Sequence, residues 1–263
     1  MTHPLSWADK YEQELIPAIF DPWSHSTIAT AEPQKGEYVL DVACGTGVVA
    51  RNIASYLGPQ GKVVGLDSNP EMLATARSLP SPSGATIQWI EGFAQRLPFA
   101  RATFDITLCQ GGLQFISDQH AALQEMYRVL KPGGRIVLMI FREIQYAPAF
   151  AILAETIASY AAPLMIQSIM TPFTLGDADA VQALVEKVGF QQISIHQETR
   201  EMHFPSAEKF VRARLQGTYH HDTVDDQMLA RAIKEGGAAL RPYEVNGELV
   251  FPMAGYLLLA YKE

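Results

Sequence analysis

The spacing of apolar residues changes repeatedly along this chain, and each change marks an element. Tyr38–Val42 reads as a strand, followed by a Gly-rich turn and a helix over Val48–Leu57. Gly58-Pro59-Gln60-Gly61 breaks that helix, and Lys62–Asp67 is a second strand. Asn69-Pro70-Glu71 opens a second helix, with Asn as cap and Pro in the first turn. Thr86–Ile90 and Phe104–Cys109 are the third and fourth strands. Asp118–Leu130 is a helix stopped by Lys131-Pro132-Gly133-Gly134, and Arg135–Phe141 is the fifth strand. Strands alternating with helices build βαβ units, hence a parallel sheet with helices on both faces. Ligands in such sheets bind at the carboxyl ends of the strands, where the strand order reverses.

Beyond Phe141 the rhythm breaks. Tyr146–Ile169 is apolar and helical in pattern, interrupted by Pro148 and Pro163. Asp177–Val188 is a helix closed by Gly189 in the helix-terminating position. Gln192–Thr199 alternates like a strand, Ala207–Gln216 and Asp225–Leu240 are helical, and Leu249–Tyr261 is the last strand. The expected architecture is α/β and Rossmann-like, with a mostly parallel seven-stranded sheet. One domain over 1–263 is expected: lead-in helices at 1–35, a core of 36–141, 176–203 and 248–263, and a helical cap. The cap segments, 142–175 and 204–247, are expected over the carboxyl ends of the strands. Their Phe150, Tyr160, Met165, Met170 and Phe173 are read mainly as packing residues.

Composition narrows the partners. A chain of 263 residues with 48% hydrophobic content suits one large α/β domain. Its formal charge is −8, and its Arg and Lys residues are scattered. Even Arg212 and Arg214 stand amid acidic neighbours. Such a surface repels a polyphosphate backbone, so a small molecule or another protein is expected as substrate rather than nucleic acid. Cys44 and Cys109 are expected as buried free thiols, since two cysteines make neither a disulfide framework nor a Cys-rich metal site. No basic segment followed by an apolar one opens the chain, and no apolar run approaches the ~18 residues of a membrane span. A cytoplasmic location without a transmembrane segment is expected; oligomeric state has no signature here.

The candidate chemistry lies in Asp41-Val42-Ala43-Cys44-Gly45-Thr46-Gly47. Glycines between a strand and a helix let the backbone approach a ligand, and the helix start offers free N–H groups. Gly45-Thr46-Gly47-Val48-Val49-Ala50 also fits the dinucleotide fingerprint, with Asp67 placed for ribose hydroxyls. An NAD(P)-dependent oxidoreductase is therefore one reading. Asp41 argues against it, because an acid there would lie close to a pyrophosphate. S-adenosylmethionine (SAM) carries a sulfonium and an ammonium and no phosphate, so an acid at this strand end can face its cationic part.

Five ordered motifs then resemble the class I SAM-dependent methyltransferases of the ubiquinone/menaquinone-biosynthesis type (methyltransferase type 11). They are Asp41–Gly47, Gly65-Leu66-Asp67 with Ser68–Leu73, Glu91–Phe99, Phe104-Asp105, and Arg128–Gly134. The lead-in run Tyr11–Trp23 also resembles that group. The resemblance implies methyl transfer from SAM to a small-molecule acceptor, leaving S-adenosylhomocysteine (SAH). It implies that Ala43, Gly45 and Gly47 line the methionine part, whose cationic end Asp41 would face, that Asp67 holds the ribose, and that Ser68 and Met72 flank the adenine. It further implies that Ala94 offers its N–H to the ring and that Gln110 and Gly111 close the site. Tyr11, Phe20 and Trp23 would cover the carboxylate and sulfonium end. The third motif departs from the family pattern: Gly92-Phe93-Ala94 stands where the acid after the glycine usually accepts from the adenine amino group. Packing on Phe93, with Gln95 as substitute acceptor, is expected instead. A SAM-binding protein without catalysis is a third reading.

Methyl transfer asks mainly for alignment and exclusion of water, and a base only when the nucleophile must lose a proton. Candidate groups are His220, His221 and Gln114. Gln114, Phe115 and Arg142 are expected around an acceptor that is apolar or aromatic, with O-, N- or C-methylation left open. No His/Asp/Glu cluster has ligand spacing, so no metal is expected.

Overall fold

A computed structural model describes residues 6–218, 222 and 224–263. Ser6 opens the first helix, α1 (Trp7–Lys10), through reciprocal bonds with Asp9. The chain continues as a wide π-type helix over Tyr11–Phe20, in which Pro17 has no amide to give, and then as α2 (Asp21–Ala31).

The strand–helix alternation then follows: β1 (Tyr38–Val42), α3 (Val48–Leu57), β2 (Lys62–Asp67), α4 (Pro70–Ser78), β3 (Thr86–Glu91), β4 (Phe104–Gln110) and α5 (Gln119–Val129). Local chemistry sets their ends. Asn69 Oδ1 accepts from the Glu71 and Met72 amides ahead of α4, and Asp118 caps α5 through the Ala121 amide. β5 (Leu130–Phe141) starts earlier than the pattern suggests: Leu130 already pairs with Phe104. Lys131–Gly134 then bulges out before Arg135 meets Ile106, with Gly133 at φ +76° supplying the bend.

The remaining elements are α6 (Pro148–Ile157), α7 (Pro163–Met170), α8 (Ala178–Val188), β6 (Gln191–Phe204), α9 (Ala207–Gln216), α10 (Asp226–Leu240), β7 (Glu244–Val245) and β8 (Glu248–Tyr261). Strand order is β3-β2-β1-β4-β5-β8-β6, with β7 pairing β8, and β1 to β5 are mutually parallel. Backbone bonds joining Gly134 to Lys262 and Arg142 to Ala254 set β8 antiparallel to β5. The sheet thus has eight strands where the apolar pattern suggested seven. The extra strand is the two-residue β7, joined to β8 by Asn246-Gly247 at φ +52° and +88°. Both turn residues sit in the left-handed region that a type I′ hairpin demands.

The order reverses between β1 and β4, which makes their carboxyl ends the expected binding crevice. The fold divides into two compact units. One comprises Asp21–Ile140, Asp177–Glu198 and Gly255–Glu263 and holds β1 to β4 and their helices. Its core is tied by Arg128, which donates to the Leu97 and Phe99 carbonyls and pairs with Glu125 at 2.6 Å. The other comprises the segment ending at Phe20, Phe141–Gly176 and Thr199–Ala254. Its centre is aromatic: Phe150 meets Phe173, Phe210 and Phe251 edge-on, and Phe204 stacks on Phe251. Phe150, Met165 and Phe173 are buried, so these three do pack; Met170 is exposed. Among the described residues no helix is long and apolar enough to cross a membrane.

Candidate cofactor site

The loop between β1 and α3 turns on three residues in the left-handed region. Ala43, Gly45 and Gly47 have φ of +56°, +55° and +87°. Left-handed backbone is free for the glycines and costs an alanine about 1–2 kcal/mol, so Ala43 carries strain that a glycine would not. The loop is anchored by the Cys44 amide donating to the Leu66 carbonyl at 3.0 Å and by the Gly47 amide donating to Cys44 at 2.8 Å.

Asp67, at the end of β2, reaches this loop. Its Oδ2 accepts from the Gly45 amide at 2.8 Å and its Oδ1 from the Asn69 amide at 2.9 Å. Burial raises its pKa, while the Asn69, Gly45 and Ser68 amides pull it back down. Asp67 therefore ties two loops together as well as presenting a carboxylate. Asp41 is 1% exposed, and its Oδ2 accepts from the Ala50 amide at 3.1 Å in the first turn of α3. The expectation had this carboxyl facing a ligand cation; here one of its oxygens caps a helix. Burial pushes its pKa up to about 8, the Ala50 bond lowers it, and the nearby Asp67 charge raises it further.

That shift has a measurable consequence. A carboxyl whose folded pKa is raised binds its proton in the native state while the unfolded chain has lost it. Its contribution is full below the ordinary carboxylate range and is lost as pH climbs towards about 8. Asp41→Asn, which resembles the neutral acid, is expected to flatten this decline. Urea unfolding of both proteins across this range checks it, and parallel pH slopes would refute it.

Behind the loop lies Trp89, which the apolar pattern did not single out. A Cβ on Gly47 would stand 2.1 Å from Trp89 Cη2, and one on Gly65 would stand 2.4 Å from Trp89 Cζ3. The indole occupies room that both glycines leave. Gly65 in the interior of β2 was the available signal, because such a glycine marks a close approach. Cys44 in this loop and Cys109 on β4 are buried free thiols, as expected, and burial pushes the Cys109 thiol up to about 12 and Cys44 well above its ordinary value.

The residues expected around a cofactor and acceptor have the following surroundings. Phe93 is 67% exposed and Phe115 59%, so both rings are free to meet a ligand. Gln95, the expected substitute acceptor, pairs its amide with Ser117 Oγ at 3.2 Å. Ala94 is buried, and the Met72 amide is spent on the Asn69 cap. Gly111, at φ +60°, donates to Met139, while the Gln110 side chain is drawn to Thr27 Oγ1 at 2.8 Å. Trp23 is fully buried, lying within 3.0 Å of where a Cβ on Gly255 would stand, the position of a core residue. Tyr11 and Phe20 belong to the other unit, with ring centroids 5.2 Å apart. Arg142, also in that unit, lies 3.5 Å over the Tyr146 ring and 3.6 Å from Glu143. His220 and His221 lie outside the described residues.

Two buried oxygens here have no hydrogen-bond partner among the described residues: Thr46 Oγ1 in the loop and Gln114 Oε1 beyond β4. Gln114 is 6% exposed, and its amide nitrogen donates to the Gly111 carbonyl at 3.0 Å, which aims the other end of the group. Buried polar atoms without partners are rare and mark places where a ligand or water completes the set. Among the described residues no cluster of His, Cys, Asp and Glu is placed to hold a metal.

The profile of the ubiE/COQ5 methyltransferase family matches residues 8–203. The chain belongs to this family. A ubiquinone/menaquinone biosynthesis C-methyltransferase of Ectopseudomonas mendocina is 33% identical over 81% of the chain and 78% of its own length. The 2-phytyl-1,4-beta-naphthoquinone methyltransferase of Arabidopsis thaliana is 34% identical over 57% of the chain, and the match spans 56% of that relative. A solved putative methyltransferase from Bacillus halodurans shares the fold at a TM-score of 0.59 and 20% identity, covering 91% of this chain and 98% of that one. As a ubiE/COQ5 member the protein is a SAM-dependent methyltransferase, and the dinucleotide reading of Gly45–Gly47 is set aside.

The site fits SAM on its own terms. Gly45 faces open space at the position where a side chain would stand. The Asp67 carboxyl bound to its amide suits a cationic ligand and opposes a pyrophosphate. Asp67 and the Ala43–Gly47 backbone would hold the ribose and methionine parts, with Phe93 against the adenine.

Proposed function

We propose that this ubiE/COQ5 member methylates a ring carbon of a reduced quinone. The observation that carries the reading is Gln114 Oε1, a buried acceptor without a donor, just beyond the β4 end of the SAM site, in a chain whose relatives act on quinones. When bound, SAM supplies an electrophilic methyl group. The protein's share is to hold the acceptor in line, to exclude water and to manage one proton.

A hydroquinone hydroxyl bound to Gln114 Oε1 shifts electron density into its ring and raises the nucleophilicity of the adjacent carbon. An amide oxygen holds the hydroxyl proton and does not remove it. The ring carbon exchanges its own proton for the methyl group, that proton passes to solvent on product release, and SAH is the leaving group. Alignment carries most of the acceleration. Gln114 is a positioning group for the acceptor, and the exposed Phe115 offers its ring to the aromatic body. Thr46 Oγ1 is suited to the polar end of the methionine moiety.

The test is incubation with SAM and matched acceptors: a reduced naphthoquinone with a free ring position, its fully ring-substituted analogue, and a simple amine. Ring-carbon methylation of the first alone is expected, read by mass spectrometry of fragments. Turnover of the substituted analogue or the amine, with none of the free ring carbon, would overturn the proposal.

A further inference from the structure

Arg214 is a buried cation with too few partners. It lies on α9 facing inward beside Phe210, Val211 and Leu215, and only 8% of its surface is exposed. Its neighbour Arg212 behaves as the acidic surroundings suggest, pairing with Glu208 at 2.9 Å at the surface. Arg214 does not: among the described residues no carboxylate lies within ion-pair reach of it. One Nη donates to the Ser168 carbonyl at a long 3.3 Å, and Nε has no hydrogen-bond partner among the described residues. The Phe150 ring lies 5.2 Å from the guanidinium carbon, which steadies the charge without accepting its hydrogen bonds. Among the described residues Tyr11 is the titratable group whose charge acts on it, and burial lowers its pKa only to about 10, so it stays protonated at neutral pH.

A guanidinium has five N–H donors in a planar fork shaped for two oxygens. Removing such a charge from water is costly unless an anion joins it, and buried arginines are ordinarily paired. The neighbours that do line it are rings and aliphatic chains from its own unit: Phe150 of α6, Tyr11, and the apolar face of α9.

We infer that Arg214 is the anchor of a binding site for a small aromatic oxyanion, a carboxylate or phenolate carried on an apolar ring body. The fork of Arg214 takes the oxygens in two parallel bonds, and the rings beside it take the aromatic body. The unpartnered Nε supplies one of the two bonds. The site uses only residues of the helical unit and requires none of the methyl-transfer chemistry.

The experiment is calorimetric titration of the full-length protein with 2-naphthoate and with 2-naphthamide, which share a shape and differ in charge. The wild type is expected to bind naphthoate at least tenfold more tightly than the amide. Arg214→Met, similar in length and uncharged, is expected to erase that preference, and Arg214→Lys to restore part of it without the two-bond geometry. Naphthoate should raise the thermal midpoint of the wild type and leave that of Arg214→Met unmoved. Equal affinity of the wild type for acid and amide would overturn the proposal, and so would undiminished naphthoate binding to Arg214→Met. Should Arg214→Met fail to fold, the wild-type comparison of acid with amide decides alone. SAH titration in the same samples separates this site from the cofactor loop, since Arg214→Met is expected to leave SAH affinity unchanged.

Discussion

Gly47→Ala is expected to disable the cofactor loop and to lower the thermal midpoint by several degrees. Two independent penalties meet at this residue. Its φ of +87° costs an alanine about 1–2 kcal/mol. A Cβ would also stand 2.1 Å from Trp89, far inside contact distance, and overpacking of that kind costs about 1–3 kcal/mol. Together they amount to roughly 3 kcal/mol, or a fall of about 6–12 °C for a chain of this size. Gly47 also caps α3, whose first turn carries the Ala50 amide bound by Asp41. A shift here therefore moves the β1–α3 loop, the candidate cofactor loop, and SAH binding is expected to weaken with stability. Differential scanning calorimetry and SAH titration measure the two effects. The double variant Gly47→Ala, Trp89→Leu should recover the packing share and leave the backbone share. A double variant no better than the single one would mean that the indole is not the obstacle.

Asp67→Ala is the second large effect, and it acts on affinity more than on folding. A ribose held by two charge-assisted bonds of about 1.5–3 kcal/mol each loses both, which weakens SAH binding at least about 100-fold. The same substitution strips the Gly45 and Asn69 amides of their acceptor. Asp67→Asn separates the two roles, because its one carbonyl oxygen can still serve one of those amides. The asparagine variant should keep near-native thermal stability and lose most of the affinity. SAH affinity unchanged in both variants would place the ribose elsewhere.

Much of the cofactor half of this fold was legible because its punctuation is local. Asn69-Pro70, Asp118, Asp177 and Gly189 sit next to the elements they begin or end, and each acts through backbone bonds two to four residues away. The β1–α3 loop was legible for the same reason. The short β7 was missed although Asn246-Gly247 announces a tight hairpin, because two residues are too few to show any alternation. What stayed hidden depends on register across long stretches of chain. Gln110 turns to Thr27, 83 residues away, and no spacing rule foretells that the amide is engaged there. Arg214 shares α9 with Glu208, yet the helix turns it towards Phe150 and leaves that acid to Arg212. The direction of Asp41 was hidden too: strand and acid were plain, but one of its oxygens points into the next helix.

Trp89, Gly47 and Gly65 divide a single volume among three positions on separate elements. None of them can drift alone. A larger residue at either glycine is admissible only in a lineage that has first reduced the indole, and a reduced indole leaves a void until a glycine grows. Change at these positions is thus expected in linked steps, so the triplet should vary together among relatives or stay fixed together. The room behind the β1–α3 loop is thus set by a tryptophan that belongs to none of its motifs.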